Sequence, residues 1–338
     1  MSAHIYPVGI IGAGAWGTSL ASLIADIHGK ALIWSRNVEV VSAINNMQAN
    51  PLYLPDVALS LHIRATSDMT DLAHCGMLLV VTPSQHLRGV LSMLPDTCVP
   101  LVLCCKGIEA SSGQLMIDVA AQVRPNNPLA VLSGPTFAHE VAAHKPTAIT
   151  LACGDKQLGE VIMQAIAAPY FRPYWTDDVT GAEIGGAVKN VLAIACGVVD
   201  GAQLGLNARA ALIARGFAEM QRFGLAKGAR AETLAGLSGL GDLVLTCSSD
   251  RSRNFTLGRE LGQELGQELG RGQKSADLLR GRHTVAEGAA TAPVLLKCAQ
   301  ELGVDMPITA AVCALLDGEL SAVQAVHKLL ARPLKAEG

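Results

Sequence analysis

The segment that most constrains this chain is Gly12-Ala13-Gly14-Ala15-Trp16-Gly17, a G-x-G-x-x-G spacing set between two differently patterned stretches. The apolar run Val8–Ile11 precedes it and suits a short buried strand. Thr18–Ile27 follows with apolar residues at helical spacing. Strand, glycine turn, helix is the context in which this spacing grips a dinucleotide. Gly12 permits the tight turn, Gly14 lets backbone approach a pyrophosphate, and Gly17 lets helix and strand pack closely. The helix N-terminus then offers unpaired N–H groups and a partial positive charge to phosphates.

The rest of the N-terminal half agrees. Ala31–Trp34, Met77–Val81, Leu101–Cys105 and Leu129–Leu132 are short apolar runs separated by helical patterns, and Ala148–Ala152 adds another strand. Such alternation predicts an α/β domain with an open, doubly wound, mostly parallel sheet. Beyond Thr176 only helical periodicity remains, broken by Gly and Pro. The chain has 338 residues, about two domains at roughly 150 residues each. The expected division is a nucleotide-binding domain at 1–178 and an all-α domain at 179–338.

Composition narrows the function classes. Hydrophobic residues make up 50% and charged residues 16%, with a net charge of −3. No global field favours nucleic acid or an anionic membrane, so neither is an expected partner. No hydrophobic run approaches the ~20 residues that span a bilayer. The N-terminus lacks the basic region of a signal peptide. The nine cysteines are irregularly spaced with no C-x-x-C pair. They read as buried reduced thiols in a cytoplasmic protein, with no metal site. Glu260–Gly270 repeats ELGQ with a period of four. Each Gly costs a helix about 1 kcal/mol, so this stretch is expected to be an exposed, weakly helical insertion.

Several residues point to chemistry. The second strand ends at Ser35-Arg36, where an NAD-selective site usually carries a carboxylate. Arg36 suits a 2′-phosphate instead, which favours NADPH/NADP, with NADH/NAD as an accepted alternative. Lys106 follows the run ending at Cys105, and Ser133-Gly134-Pro135-Thr136 closes the run Leu129–Leu132. In open α/β sheets, such strand ends face the ligand. Thr180 and Glu183 have capping-box form, opening a helix expected to reach Val199. On its wheel, Ala182, Gly185, Gly186, Lys189, Ala193 and Cys196 share a stripe on which Lys189 is the only long side chain. A ligand or the other domain against that face would account for the missing bulk. Apolar neighbours suit Lys189 to proton transfer with a carbonyl or hydroxyl. Asn190 follows it and can both donate and accept hydrogen bonds. Gly236–Asp242 is a glycine-rich turn ending in a carboxylate, an N-cap or a site residue. Ser248–Asn254 brings two arginines together with hydroxyls and an amide, a good oxyanion binder.

Read together, GAGAWGTSLA at 12–21, CCKGIE at 104–109, LSGPTFAHEVA at 132–142, GAEIGGAVKNVLAIACGVVDG at 181–201, GLSGLGDLVLTCSSDRSRNFTLG at 236–258 and VAEG at 285–288 resemble the bacterial-type NAD(P)-dependent glycerol-3-phosphate dehydrogenases. The resemblance implies a Rossmann-like N-terminal domain and a helical C-terminal domain like that of 6-phosphogluconate dehydrogenase. It implies reversible reduction of dihydroxyacetone phosphate to sn-glycerol 3-phosphate, the glycerophospholipid backbone. By position, Lys189 matches the catalytic lysine, and Lys106 the lysine that touches substrate and cofactor. Asp242, Ser252, Arg253 and Asn254 match the substrate pocket, as do Gly134 and Thr136. Ala15, Trp16, Arg36, Ala138, Arg253, Val285 and Glu287 match cofactor contacts beside Gly12, Gly14 and Gly17. The resemblance also allows a homodimer built on apolar surface of the helical half. Ala15 departs from the family's frequent Ser, and the ELGQ repeat lengthens the connection before VAEG. Another β-hydroxyacid-type reductase would not need the arginine-rich phosphate segment. A non-catalytic NADPH sensor would need neither Lys106, Lys189 nor Asp242.

Overall fold

The computed structural model describes residues 6–267, 287–321 and 324–325. The chain up to Glu109, with Gln114–Glu183, forms one compact unit. Ala110–Gly113 and the chain from Ile184 onward form the other.

The first unit is built on strands β1 (Gly9–Ile11), β2 (Ala31–Trp34), β3 (Ala49–Asn50), β4 (Leu54–Ala58), β5 (Ile63–Thr66), β6 (Leu78–Val80), β7 (Leu101–Leu103), β8 (Leu129–Ser133), β9 (Thr147–Ala152) and β10 (Phe171–Thr176). Eight of them form one sheet in the order β10-β9-β8-β7-β6-β1-β2-β5, and β3 and β4 pair as a hairpin. Neighbours in the large sheet run parallel except β8 and β9. Alternate residues feed two apolar cores: Ile10, Ile33, Leu79 and Val102 lie in one, and Ile11, Leu32, Leu78 and Leu101 in the other. A sheet buried on both faces needs continuous apolar strands, which is why the central runs stand out in the sequence.

The edges do not. Neither β5 nor β10 is announced by an apolar run. Both sit at sheet edges, where one side of the backbone is unpaired and polar residues are tolerated, as is a proline such as Pro173. The chain order reverses between β1 and β6. That switch point is where an open α/β sheet holds its ligand, beyond the carboxyl ends of the strands.

The helix Val179–Gly201 begins two residues earlier than its sequence suggests. Its cap is Asp178, whose carboxylate accepts from the Gly181 N–H at 2.9 Å, rather than Thr180. Glu183 closes no capping box. It accepts instead from the Ile117 N–H at 2.9 Å, at the start of the helix Met116–Val123. By length and composition this helix could cross a membrane, contrary to the reading by apolar runs, but 94% of its apolar window is buried within the protein.

The helical unit also contains Leu206–Ala226, Asp242–Cys247, Arg253–Gln267, Glu287–Glu301 and Pro307–Leu316. Val179–Gly201 and Arg253–Gln267 pack with backbones nearly touching. A Cβ on Gly197 or Gly201 would strike the carbonyls of Phe255 or Arg259, and one on Gly258 or Gly262 those of Ile194 or Val198. Gly262 belongs to the ELGQ repeat, and Leu261 beside it is buried. The repeat's first turn is therefore a packing element rather than an exposed insertion. Glycines four apart share a helix face and leave room for the facing backbone. Residues 268–270 lie outside the described residues. None of the nine cysteines, all among the described residues, forms a disulfide, and of them Cys98 is exposed.

Candidate active site

In the first unit, the loop between β1 and the helix Ala15–His28 has the form a dinucleotide needs. Gly12 adopts φ +110°, and a Cβ there would lie 2.9 Å from the Val81 carbonyl at the end of β6. A Cβ on Gly17 would collide with the Gly12 carbonyl, so this glycine serves the helix–strand contact. At Gly14 a Cβ would meet nothing within 4 Å. The protein does not require glycine there, and open space borders the loop. No side chain caps the Ala15–His28 helix, so its first N–H groups are available to an anion. Ala15 and Trp16 are half-buried on its first turn, with the Trp16 ring tilted 6.5 Å from that of Phe171. Arg36, just past β2, is exposed, and Asn37 beside it caps the next helix. These features fit a dinucleotide with a charged group near its adenosine ribose.

At the carboxyl ends of β7 and β8, the Lys106 ammonium donates to the Gly134 carbonyl at 3.1 Å. The Thr136 hydroxyl donates to the same carbonyl at 3.3 Å. Gly134 itself is pressed against β9, where a Cβ would lie 3.1 Å from the Ile149 Cα. Ala138 opens a short helix, and its carbonyl accepts from the Ser19 hydroxyl at 2.6 Å. That bond ties the segment to the glycine-loop helix. His139 stacks on Phe137, and His144 pairs with Asp26 at 3.0 Å and stacks on Tyr170.

In the helical unit, Lys189 is buried and its ammonium donates to Asp242 Oδ1 at 2.7 Å and to the Thr246 hydroxyl at 2.9 Å. Thr246 in turn donates to Asp242 Oδ1 at 3.2 Å, closing a triangle. Asp242 stands at the start of the helix Asp242–Cys247, directly after the π-helical turn Leu237–Gly241. That turn accounts for one member of the small-residue stripe beside Lys189, Gly185. A Cβ on Gly185 would collide with the Ser238 carbonyl and lie 2.8 Å from the Gly239 Cα. At Gly185 the missing bulk makes room for a turn of the same unit, not for a ligand or the other domain. Beside the triangle, the Cys247 thiol is pushed well above its ordinary value by its hydrogen bond with Cys196 and by burial.

The phosphate segment meets the lysine helix one residue on. Ser252 is buried and accepts from the Phe255 N–H at 3.2 Å, capping Arg253–Gln267. The Asn254 amide donates to Asn190 Oδ1 at 3.0 Å and accepts from the Gly288 N–H at 3.0 Å. Arg253 lies exposed between them. Glu287 begins the helix that Asn254 grips, and Val285 lies outside the described residues. Thr246 carries no mark in the sequence beyond standing four residues after Asp242 on one helix face. Asn190 stands out there only for its ability to donate and accept.

A glycine-loop sheet and a helical unit burying a Lys–Asp pair define the class of Rossmann-type, nicotinamide-dependent dehydrogenases. Within that class the chain belongs to the NAD-dependent glycerol-3-phosphate dehydrogenase family, whose N-terminal model matches residues 7–159 and whose C-terminal model matches 178–327. A glycerol-3-phosphate dehydrogenase [NAD(P)+] of Erythrobacter litoralis is 57% identical over 98% of this chain and 97% of its own length. One from Sphingopyxis alaskensis is 56% identical over 98% of each chain. The crystal structure of the Coxiella burnetii glycerol-3-phosphate dehydrogenase superposes with a TM-score of 0.90 at 36% identity, covering 97% of this chain and 99% of that one.

Proposed function

We propose that this chain catalyses the reversible NAD(P)H-dependent reduction of dihydroxyacetone phosphate to sn-glycerol 3-phosphate, which supplies the glycerophospholipid backbone. Residues 1–178 are assigned to cofactor binding and 179–338 to substrate binding and catalysis. The observation that carries the reading is the buried Lys189–Asp242 pair in a chain of this family.

A nicotinamide cofactor, which Gly12, Gly14 and Gly17 would hold, would supply the hydride chemistry at C2 of the ketone. Lys189 meets the negative charge that grows on the C2 oxygen and gives it a proton; in the reverse direction it takes that proton back. Asp242 holds Lys189 in place and favours its ammonium form. Arg253, with Ser252 and Asn254, is assigned to the substrate phosphate, so that binding energy remote from C2 orients the reacting carbonyl. Lys106, Gly134 and Thr136 are assigned to the substrate, with Lys106 also contacting the cofactor. Gly12, Gly14, Ala15, Trp16 and Gly17 are assigned to the pyrophosphate. Arg36 is assigned to a 2′-phosphate, which makes NADPH the preferred coenzyme and NADH an accepted one. Ala138, Arg253, Val285 and Glu287 complete the cofactor contacts. The expected setting is the cytoplasm, in keeping with nine cysteines that form no disulfide. A homodimer is the assembly that the family resemblance suggests.

The direct test mixes the protein with NADPH and dihydroxyacetone phosphate and follows the absorbance of the reduced nicotinamide. Consumption that depends on the ketone supports the reading; its absence with NADPH and with NADH overturns it.

A further inference from the structure

Asn50 ends the two-residue strand β3 and is fully buried. Its amide nitrogen donates to the Ala13 carbonyl at 2.9 Å and to the Thr18 hydroxyl at 2.8 Å. Its amide oxygen accepts from the Tyr53 N–H at 3.3 Å. The Thr18 hydroxyl also donates to the Ala13 carbonyl, at 3.4 Å. One carbonyl inside the glycine loop is thus held from two sides. A carbonyl only accepts, so the amide must present its nitrogen to the loop.

That grip has a consequence for the neighbouring residue. The Ala13 carbonyl and the Gly14 N–H belong to one planar peptide, and no cis peptide occurs among the described residues. In a trans peptide these two groups point in opposite directions. Holding the carbonyl toward Asn50 aims the Gly14 N–H away from the interior, at a residue bordered by open space. Without the grip, this peptide could rotate more freely beside Gly14, since glycine resists rotation least of all residues. Aiming it again on binding would then cost affinity.

We propose that Asn50 is a positioning residue for the cofactor's pyrophosphate: it locks the Ala13–Gly14 peptide so that the Gly14 N–H is preset as an anion donor. The proposal rests on the NAD(P) reading of the glycine loop. A packing role for Asn50 would serve the hairpin β3–β4 alone and would be indifferent to phosphate.

The test compares two NADPH-competitive fragments, 2′-phospho-ADP-ribose, which carries the pyrophosphate, and 2′-AMP, which does not. Asn50→Asp keeps the shape and sets an acceptor against the Ala13 carbonyl. It is expected to weaken 2′-phospho-ADP-ribose roughly tenfold or more and 2′-AMP by less than about twofold, as loss of an oriented hydrogen bond implies. The turnover number at saturating NADPH and the KM for dihydroxyacetone phosphate should stay near wild type. Thr18→Val removes one of the two grips and should lose a few-fold in the same pattern; it decides the matter if the Asn50→Asp variant does not fold. Unchanged fragment affinities in a folded variant, or equal losses for both fragments, overturn the proposal. A wild-type protein that fails to bind NADPH at all sinks the cofactor reading instead, so the two failures are told apart.

Discussion

Burying an ammonium costs several kcal/mol unless a partner offsets it. Lys189 meets that cost with Asp242 at 2.7 Å and Thr246 at 2.9 Å. A lysine held this way is charged, oriented and shielded from water, which is what proton delivery to a growing alkoxide requires. Lys189→Ala is therefore expected to lower kcat by about two to four orders of magnitude, with NADPH affinity unchanged in a direct titration. Near-normal turnover would remove Lys189 from the chemistry. Arg36 makes the complementary case for the cofactor. It is exposed at the end of β2, where no carboxylate stands. Arg36→Asp should raise the KM for NADPH roughly tenfold to a hundredfold and that for NADH far less; equal changes would dissociate Arg36 from the 2′-phosphate. Both side chains could be singled out from sequence because each is the odd residue in its neighbourhood. Thr246 and Asn50 could not, because an ordinary Thr and Asn gain meaning only from partners brought close by folding.

At the scale of elements, the glycines that matter most are not all ligand glycines. Gly197 and Gly201 face Gly258 and Gly262, and backbone meets backbone between the lysine helix and the phosphate-segment helix. The same pair is tied by Asn190 and Asn254 at 3.0 Å. Gly258→Ala would push a methyl into the Ile194 backbone, within 2.8 Å of its carbonyl carbon. Overpacking of this kind costs about 1–3 kcal/mol, so the variant should melt measurably lower in a thermal unfolding scan. A melting temperature equal to wild type would mean that the helices separate freely. The period of four in ELGQ is visible in the sequence, and its first turn proves to be contact surface. Helical spacing shows which residues share a face, but not whether another backbone lies against it. The start of the lysine helix is misread from sequence for a related reason. Thr180 and Asp178 are both good caps locally, and Glu183 is engaged by the Met116–Val123 helix.

For the molecule as a whole, two buried carboxyls make stability depend on pH. Burial pushes the Glu183 carboxyl up to about 8, although the Ile117 N–H pulls the other way. Burial likewise raises Glu219 to about 7, against bonds from Ile308 and Thr309. A raised native pKa means that the folded chain keeps a proton which the unfolded chain releases near its ordinary 4.5. Stability from this source is complete below that value and declines as pH rises toward about 8. Glu183→Gln should flatten the fall in melting temperature between these limits, so that the variant gains on wild type as pH rises. Parallel curves for the two proteins would exclude the effect.

The sequence alone determined the class of fold, the fingerprint loop, the central strands and the odd charged residues, Arg36, Lys106, Lys189 and Arg253. These are features of local pattern, because strand and helix periodicity and the glycine spacing act within a few residues. Only the tertiary structure decided the edge strands, the cap at Asp178, the turn that fills the space beside Gly185, the Lys189–Asp242–Thr246 triangle and the grip of Asn50 on the loop. Each of these depends on which of several locally acceptable partners a residue meets, and its free energy comes from burial and contacts that exist only after the chain has packed.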